Sequence, residues 1–464
     1  MRENKSAAVT IAVTLLFCSI LQGCGGQDFM TYFHKTQQTT VDNISDTQNP
    51  VDNREDSGEE SLKENLDSSE QGNVGENTEQ EETELPYTSP EVTLIMVGDI
   101  LLHTPVAQSA LQEDGSYNYD AIFANVKDEI SAADLALVNQ EVIIGGQELG
   151  ISGYPTFNAP YELGDALVGA GFDVILHATN HTLDKGKRGV ENCLSFWENT
   201  YPEIAVVGIN ESQEARDNNI YIYEQEGIRI AILNYTYGTN GIPLPSDMPY
   251  AVNLLEEEKM AADIAKAKEQ ADFVVVCPHW GTEYRLTQSA EQERWTEFFA
   301  ENGVDLVLGT HPHVIEPVEW IPYEGVEIES TIVQNQIEDN YSAVDSSNNR
   351  GINDEKRSED GMLVYYSLGN FVNWTASSGE GIANRMVGGM AQVTIGKDEN
   401  GEAYIVEYGV EPLVCHLTKG INGVTVYRLS DYTEELASQN EIRKQDAAFS
   451  LEYCENLCEE VWGD

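Results

Sequence analysis

The chain contains few basic residues for its 464 residues. It has 25 Lys and Arg against 80 Asp and Glu, which gives a formal net charge of −55. Non-specific nucleic-acid binding depends on basic side chains that neutralise phosphates, so the composition argues against nucleic acid as a partner. Attraction to anionic lipid surfaces is disfavoured for the same reason. The acid surplus is compatible with bound divalent cations, although a solvated acidic surface explains most of it.

Cysteine is also scarce. The chain has seven cysteines, and two of them lie within the first 24 residues. Cys193 and Cys277 fall in patterns typical of small buried side chains. Cys454 and Cys458 are four residues apart on one face of a predicted C-terminal helix, a spacing that permits metal binding or a strained disulfide but that two unrelated thiols also explain. The sequence therefore predicts no dense disulfide framework.

Long apolar runs are missing except at the N-terminus. Arg2 and Lys5 precede an apolar stretch at 7–20, and Leu21-Gln22-Gly23-Cys24 follows it. This layout is typical of a secretory signal, and the last four residues resemble the lipobox of bacterial lipoproteins, which implies that cleavage leaves Cys24 as a lipid-bearing N-terminus. An ordinary membrane anchor is the alternative, but the run is shorter than the roughly 20 residues of a spanning helix. We predict a signal peptide at 1–24 and an extracytoplasmic protein anchored to the bacterial cell membrane through Cys24.

Residues 25–90 contain almost no branched apolar or aromatic side chains beyond Phe33 and are rich in Asp, Glu, Asn, Gln, Ser and Thr. Such a segment cannot bury enough apolar surface to offset its ordering entropy. We predict a disordered acidic linker there, with a reach of about 45 Å as a flexible chain. Its expected role is to hold the folded part away from the membrane.

Short apolar runs alternate with amphipathic stretches from residue 91 to about residue 371. The apolar runs lie at 92–97, 135–138, 174–176, 204–207, 228–233, 273–276, 306–308 and 363–367, and the helical patterns lie at 122–132, 161–170, 189–198, 255–271 and 290–301. Strands that alternate with helices indicate an α/β domain with a largely parallel sheet.

The pattern changes after residue 387. Three apolar runs at 390–395, 403–408 and 423–429 have no helices between them. They predict antiparallel strands, which form either a second sheet of the same domain or a small appended one. Residues 325–360 read as a long polar loop between two strands. The predicted organisation is a main domain at 91–430 and a C-terminal helical tail at 431–464.

Histidine is rare, but half of the eight histidines lie in three short patterns that follow apolar runs. The patterns are Thr179-Asn180-His181, Pro278-His279-Trp280-Gly281 and Gly309-Thr310-His311-Pro312-His313. In open α/β folds the loops after the carboxyl ends of strands converge on one crevice. Four unrelated strand ends whose histidines cap loops are the alternative, but three such patterns in one chain favour a shared site.

Acidic and amide side chains complete the predicted site. Asp99 follows the first apolar run, after a glycine that we expect to turn the chain sharply. Asn139 and Glu141 follow the second run, two residues apart and therefore on one side of extended chain. The proline between His311 and His313 is expected to keep that segment extended, so that both imidazoles face the site. Imidazole with carboxylate and amide oxygen suits Zn²⁺, Mn²⁺ or Fe²⁺ rather than Ca²⁺.

These motifs together resemble one protein family. They are Val97-Gly98-Asp99, Asn139-Gln140-Glu141, the stretch 178–186 around Asn180-His181, the stretch 279–284 that contains Glu283, the stretch 309–314 and Tyr366-Ser367-Leu368-Gly369-Asn370-Phe371. In this order they resemble the bacterial poly-γ-glutamate capsule synthesis (CapA/PgsA) family, a branch of the calcineurin-like metallophosphoesterase superfamily. The resemblance implies a four-layer α/β/β/α sandwich with a divalent metal site at the strand ends.

The resemblance also implies roles for individual residues. Asp99 and His313 would bind one metal ion, and Asn180, His279 and His311 would bind a second. The counterpart of the superfamily's bridging aspartate would be Glu141, or Asn139 if bridging is lost. His181 would be a protonating or charge-stabilising residue. The superfamily's first motif is Asp-x-His, whereas His103 comes four residues after Asp99, so the site is expected to hold one or two ions.

The resemblance leaves two main functions open. One is metal-dependent hydrolysis of a phosphoester or a related ester or amide bond, because paired metals in such enzymes stabilise both the attacking and the leaving oxygen. The other is a non-catalytic scaffold that binds an anionic surface polymer or a membrane synthesis complex, with Trp280, Glu283 and Tyr284 lining a polymer groove. A carbohydrate-binding module rests only on scattered aromatic residues and is the weakest alternative.

Overall fold

The structure is a computed structural model that describes residues 89–323 and 361–463. The predicted signal peptide at 1–24, all but the last two residues of the linker at 25–90, and the polar loop at 325–360 lie outside the described residues. None of the helices in the described ranges is both long and apolar enough to cross a membrane.

The described residues form fourteen strands. They are Glu91–Ile100 (β1), Leu135–Asn139 (β2), Val174–Leu176 (β3), Ala205–Val207 (β4), Tyr221–Gln225 (β5), Ile228–Thr236 (β6), Phe273–His279 (β7), Leu306–Leu308 (β8), Val318–Pro322 (β9), Gly361–Tyr365 (β10), Asn370–Val372 (β11), Val387–Lys397 (β12), Ala403–Leu417 (β13) and Val424–Arg428 (β14).

Ten α-helices connect or follow these strands in the described ranges. They are Thr104–Ala110 (α1), Asp120–Phe123 (α2), Lys127–Ala132 (α3), Tyr161–Ala170 (α4), Gly186–Thr200 (α5), Gln213–Asn218 (α6), Glu257–Gln270 (α7), Ala290–Glu301 (α8), Glu434–Gln439 (α9) and Leu451–Trp462 (α10). Short 3-10 helices lie at Gln147–Leu149, Ala383–Met386, Leu429–Asp431 and Glu441–Lys444.

The strands build two sheets. The first has the order β14-β13-β12-β1-β2-β3-β4, with β11 also paired to β1, and the second has the order β5-β6-β7-β8-β10-β9. Strands β1 to β4 are parallel, as are β6, β7, β8 and β10. The carboxyl ends of the central strands of each sheet therefore lie at a single edge of that sheet, where ligand-binding loops of α/β folds gather.

The two sheets pack face to face, and helices cover their outer faces. Alternate residues of a strand point to opposite faces, and in β1 Leu94 and Met96 join the cluster between the sheets while Ile95 and Val97 face the helices. The outer face of the second sheet packs against α7 and α8, for example through Phe299. Burial on both faces explains the near-continuous apolar runs of these strands. The predicted four-layer α/β/β/α sandwich is confirmed.

The strands predicted after residue 387 are antiparallel as expected, but their place in the fold differs from the prediction. Strands β12, β13 and β14 form neither a second sheet nor an appended one, because β12 pairs antiparallel with β1 and extends the first sheet. Hydrophobic pattern indicates strands but does not identify their partners. The last two helices, α9 and α10, pack into the hydrophobic cluster on the outer face of the first sheet, through Ala437 and Leu457.

Other elements differ locally from the prediction. The single helix expected at 122–132 is two short helices, α2 and α3, separated by residues 124–126. Strands β5, β9 and β11 were not predicted. Helix α4 ends as expected at a glycine, since Gly171 adopts a left-handed conformation with φ of 105°.

Candidate metal centre

Polar side chains from the ends of five strands meet in one buried pocket. They are Asp99 of β1, Asn139 at the end of β2 and Glu141 just beyond it, Asn180 and His181 after β3, His279 at the end of β7, and His311 and His313 after β8. Each of them is less than a tenth exposed. The two sheets thus bring together every ligand that the sequence named.

Glu141 lies at the centre of this pocket. Its Oε1 atom is 3.7 Å from Nε2 of His313, 3.8 Å from Nε2 of His279 and 3.9 Å from Nε2 of His181. These distances are too long for hydrogen bonds, and neither carboxylate oxygen of Glu141 has a hydrogen-bond partner in the described part of the chain. Both oxygens therefore keep acceptor capacity that a bound cation could use.

The candidate ligands form two groups that share Glu141. One group is Glu141, His279 and His311, and the other is Asp99, Glu141 and His313, with the ligand atoms of each group within 4.8 Å of one another. A carboxylate common to two groups is the arrangement that a bridging ligand needs. The geometry thus favours Glu141 over Asn139 as the counterpart of the bridging aspartate.

Other buried polar atoms in or near the first group also lack hydrogen-bond partners within the described residues. Within the described residues, His311 Nδ1 and Asn139 Oδ1 are buried and take part in no hydrogen bond. Asn180 Oδ1 lies 3.0 Å from His279 Nε2, so it adds an amide oxygen to this side of the pocket. Unsatisfied buried polar atoms are costly, and a cation bound among them would satisfy several at once. The donor set of imidazole, carboxylate and amide fits a transition-metal ion.

The second group is more fully hydrogen-bonded. Asp99 Oδ1 accepts a hydrogen bond from Asn139 Nδ2 at 2.8 Å, and Asp99 Oδ2 lies 3.0 Å from His313 Nδ1. The same nitrogen lies 3.1 Å from Asn370 Oδ1. Asn139 therefore positions Asp99, and Asn370 helps to orient the His313 ring. The group with His279 and His311 therefore has more buried polar atoms without hydrogen-bond partners than the group with Asp99 and His313, and a bound cation would satisfy more of them there.

The pKa values of the pocket histidines are shifted in different directions. Burial lowers the pKa of His279 and His311 well below the usual value, and the neighbouring imidazoles lower both further. Burial also opposes charge on His313, but Glu141 and the hydrogen bond to Asp99 outweigh it and raise the pKa to about 9. Burial raises the pKa of Glu141. His279 and His311 are thus neutral, the form that binds metals, whereas His313 holds its proton more tightly beside the acidic side chains.

His181 differs from the other pocket histidines because it has a carboxylate behind it. Its Nδ1 atom lies 2.7 Å from Oδ2 of Asp184, which also accepts a hydrogen bond from the backbone of Phe157. An ionised carboxylate only accepts hydrogen bonds, so Nδ1 carries the proton and Nε2 faces Glu141. The ring of Phe157 packs edge-on against His181 at 4.6 Å. This geometry orients one nitrogen for proton transfer.

The backbone reaches the pocket differently from the prediction at two places. Gly98 does not make a sharp turn, because it lies within β1; a Cβ atom there would meet the carbonyl oxygen of Gly369 at 2.0 Å. The segment of His311 and His313 is not extended either, since their φ angles are 101° and 60°. The two imidazoles still meet, with ring centroids 5.7 Å apart, but through left-handed backbone rather than strand geometry.

Three residues named from the sequence lie apart from the ligand groups. His103 belongs to neither group, and its ring packs edge-on against Phe157 at 5.2 Å. Trp280 does not line a groove, because it is fully buried and its indole nitrogen donates to the carbonyl of Tyr366. Glu283 is exposed beside the pocket, where its charge contributes to the raised pKa of Glu141.

Sequence reasoning missed several residues that shape the pocket. Asp184 and Asn370 lay inside the quoted motifs but received no role. The i,i+3 spacing from His181 to Asp184, just before α5, is the signal that was available. Tyr237, whose ring lies 4.7 Å from that of His311, follows β6 and carried no comparable signal.

The four-layer sandwich with a polar pocket at its strand ends is the architecture that the resemblance to the metallophosphoesterase superfamily implied. Solved structures similar to this chain include a putative 5'-nucleotidase from Staphylococcus aureus, with 13% identity, a TM-score of 0.40 and coverage of 69% of this chain and 54% of that one. Another is a 5'-nucleotidase precursor from Thermus thermophilus, with 15% identity, a TM-score of 0.38 and coverage of 70% and 54%. At these scores the similarity carries no functional conclusion.

Residues 93–375 match the model of the bacterial capsule synthesis protein PGA_cap family. The chain belongs to this family. It is 28% identical over 306 residues to the PGA biosynthesis protein CapA of Bacillus subtilis (strain 168), a match that covers 62% of this chain and 66% of that protein. It is 27% identical over 235 residues to the capsule biosynthesis protein CapA of Bacillus anthracis, covering 49% and 55%. The chain therefore spans just under two thirds of the first relative and about half of the second.

Proposed function

We propose that this protein takes part in the synthesis or export of poly-γ-glutamate or a related surface polymer, as a metal-dependent hydrolase of an ester or amide bond. Membership of the capsule synthesis family supports the first part. The observation that carries the second part is the pair of ligand groups that share the unpartnered carboxylate of Glu141. We also propose that lipidated Cys24 anchors the protein at the outer face of the cell membrane.

The pocket residues have separable tasks in this proposal. Glu141, His279 and His311, with Asn180 beside them, would hold one divalent ion (Mn, Zn or Fe), and Asp99 and His313 would join Glu141 to hold a second. The bound metal would supply Lewis-acid stabilisation of developing negative charge. Asn139 and Asn370 keep Asp99 and His313 in place through the hydrogen bonds described above.

His181 is proposed to move the proton. Asp184 holds the ring through Nδ1, so that Nε2 points into the pocket. In the imidazolium form, with both ring nitrogens protonated, the Nε2 proton can pass to the leaving group of the cleaved bond and leave a neutral imidazole. The edge-on ring of Phe157 restricts the imidazole from another side. Since Nε2 lies 3.9 Å from Glu141 Oε1, the proton donor sits directly beside the proposed metal ligands.

The test starts with the full-length protein purified in detergent micelles. We expect elemental analysis to find a tightly held transition metal, and we expect generic phosphoester, ester and amide substrates to be hydrolysed in a metal-stimulated manner. His279→Ala should lose both metal and hydrolysis. His416→Gln is the matched control, because His416 is buried against Tyr432 in another part of the fold. Metal-free protein without metal-stimulated hydrolysis would refute the enzymatic part.

The non-catalytic alternative is separated by a cellular assay. Cells that carry His279→Ala or His311→Ala in place of the wild-type protein should produce less surface polymer if the site turns over in polymer production. Cells with normal polymer despite loss of the metal would exclude the pocket from that role and favour the scaffold.

A further inference from the structure

An arginine side chain lies beside this acidic pocket. Arg385 lies in the 3-10 helix Ala383–Met386 just before β12. Its guanidinium carbon lies 3.5 Å from the ring centroid of Tyr284, and the centroid of that ring is 6.0 Å from the ring of His313. A guanidinium stacked on an aromatic face keeps its edge free for hydrogen bonding.

Arg385 is fixed to the pocket at its backbone as well. Its carbonyl oxygen accepts a hydrogen bond from Asn370 Nδ2 at 3.1 Å, and Oδ1 of the same asparagine lies 3.1 Å from His313 Nδ1. Tyr284 is held in turn, since its backbone N–H donates to the carbonyl of Pro312 at 2.7 Å. Both ends of the arginine are thus tied to the loop that carries His313.

The charged end of Arg385 is near one acidic side chain, Glu283, whose charge acts on it without a direct ion pair. Among the described residues no ion pair includes it, and its Nε is inaccessible and without a hydrogen-bond partner. In a chain with 80 acidic and 25 basic residues, acids to pair with are abundant. Arginine retains its charge in proteins, so a half-buried guanidinium that makes no direct ion pair within the described residues can bind an external anion.

We infer that Arg385, stacked on Tyr284, is the specificity-determining residue that binds an oxyanion of the substrate, a carboxylate or a phosphate, next to the bond cleaved at the metal pocket. This inference rests on the proposed function. Carboxylate and phosphate both match the planar fork of the guanidinium, which binds them through two parallel hydrogen bonds. It also explains how an acidic pocket accepts an anionic substrate, because one fixed cation marks where the negative group is placed.

The test measures anion binding directly. Full-length protein in detergent micelles is titrated by calorimetry with inorganic phosphate and, separately, with glutarate, and the metal content of every sample is measured. Arg385→Gln should weaken binding of at least one anion by roughly 10- to 100-fold, the usual range for hydrogen bonds to a charged group, without changing the metal content. A loss for glutarate alone assigns a carboxylate, a loss for phosphate alone assigns a phosphate, and a loss for both assigns the shared oxyanion chemistry.

Arg285→Gln is the matched control. Arg285 follows Tyr284 directly and is exposed, so this variant measures the general effect of removing one positive charge nearby. We expect its affinities for phosphate and glutarate to stay within about twofold of the wild-type values. Arg385→Lys keeps the charge and loses the fork, and it should fall between wild type and Arg385→Gln. If Arg385→Gln does not fold, Arg385→Lys decides the matter in the same assay, with weakened binding supporting the inference.

Unchanged affinity for both anions, or an equal loss in Arg285→Gln, would overturn the inference. Anion binding needs no turnover, so a protein that binds through Arg385 but hydrolyses nothing contradicts only the proposed enzymatic function. A protein that hydrolyses its substrate with unchanged KM in Arg385→Gln contradicts only the role of Arg385.

Discussion

His177 and His311 are both almost fully buried, and burial lowers the pKa of each, but their surroundings differ. Nε2 of His177 accepts a hydrogen bond from the indole nitrogen of Trp197, and the thiol of Cys193 lies beside it. His311 Nδ1 has no partner among the described residues. Burial and a low pKa therefore do not distinguish a structural histidine from a candidate ligand. A ring nitrogen without a hydrogen-bond partner within the described residues is what distinguishes the candidate ligand from the structural histidine.

The surroundings of His177 and the pocket also differ as regions in how well their buried polar atoms are hydrogen-bonded. Around His177 the polar atoms are paired and the helix α5 covers them, which is what stability requires. In the pocket the carboxylate of Glu141 has no hydrogen-bond partner within the described ranges, and the rings of His279 and His311 lie only 4.8 Å apart. Such an arrangement is costly unless something binds there. Substitutions in the two regions should therefore have different consequences for metal binding and for stability.

The largest effect is expected for Glu141→Gln, because Glu141 belongs to both ligand groups. The amide has nearly the same shape but lacks the negative charge. We expect loss of bound metal and a fall in hydrolysis of more than about 100-fold, the upper range for residues that only support metal ligands. Elemental analysis and a hydrolysis assay measure the two effects.

The metal-depleted protein provides the control for this substitution. Burial raises the pKa of Glu141, so the folded state binds more protons than the unfolded state as the pH rises above the usual carboxyl range. The ionised side chain then destabilises the fold. With a chelator at pH 8, Glu141→Gln should unfold at a urea concentration no lower than wild type; a clearly lower midpoint would mean that Glu141 is structural.

The next effect concerns proton transfer. His181→Asn removes the proposed proton donor and should lower kcat by about 100- to 10,000-fold while metal content stays at the wild-type level. Asp184→Asn should lower kcat less, because the imidazole remains but loses the acceptor that orients it. Equal metal loss in both variants would instead assign His181 and Asp184 to metal binding.

Alanine substitutions of His177 and His311 should affect different properties, stability in the first case and metal binding in the second. His177→Ala creates a buried cavity and leaves Trp197 without its acceptor, so we expect a loss of about 2–4 kcal/mol in the free energy of unfolding with metal retained. His311→Ala should lose metal, and in chelator its stability should fall by less than half as much. Urea denaturation with and without chelator measures both. If the two variants lose similar amounts of metal and of stability, His177 and His311 do not have separate structural and ligand roles.

Much of the fold follows from the sequence because it depends on local pattern. Strands β3 and β8 and helices α4 and α8 were predicted at their observed bounds, since short apolar runs buried on both faces and amphipathic helices carry clear signals. The pairing of β12 with β1 did not follow. Hydrophobic periodicity indicates which face of a strand is buried but not which strand lies beside it.

The candidate ligands also followed from the sequence, whereas the way in which the chain presents them did not. His-x-His after a strand indicates a site, but the positive φ angles of His311 and His313 come from tertiary contacts that override the expectation of extended chain. Asn370 and Arg385 reach the pocket from after β10 and from before β12. No short-range pattern connects them with His313, so only the folded structure could identify them.

The smallest predicted effect is the contribution of His177 to the pH dependence of stability. Burial lowers its pKa from 6.5 to about 3, so the folded state binds fewer protons than the unfolded state between these values, and stability falls as the pH falls through that window. From pH 7 to pH 5 this group should cost about 2 kcal/mol in the free energy of unfolding.

His177→Gln offers an acceptor to Trp197 and does not titrate. Measured in urea with a chelator present, wild type should lose about 2 kcal/mol more than the variant over this range. The pocket histidines are common to both proteins, so their titration cancels in the difference. Parallel pH profiles would mean that the surroundings of His177 are not the satisfied, neutral environment that sets this histidine apart from those of the pocket.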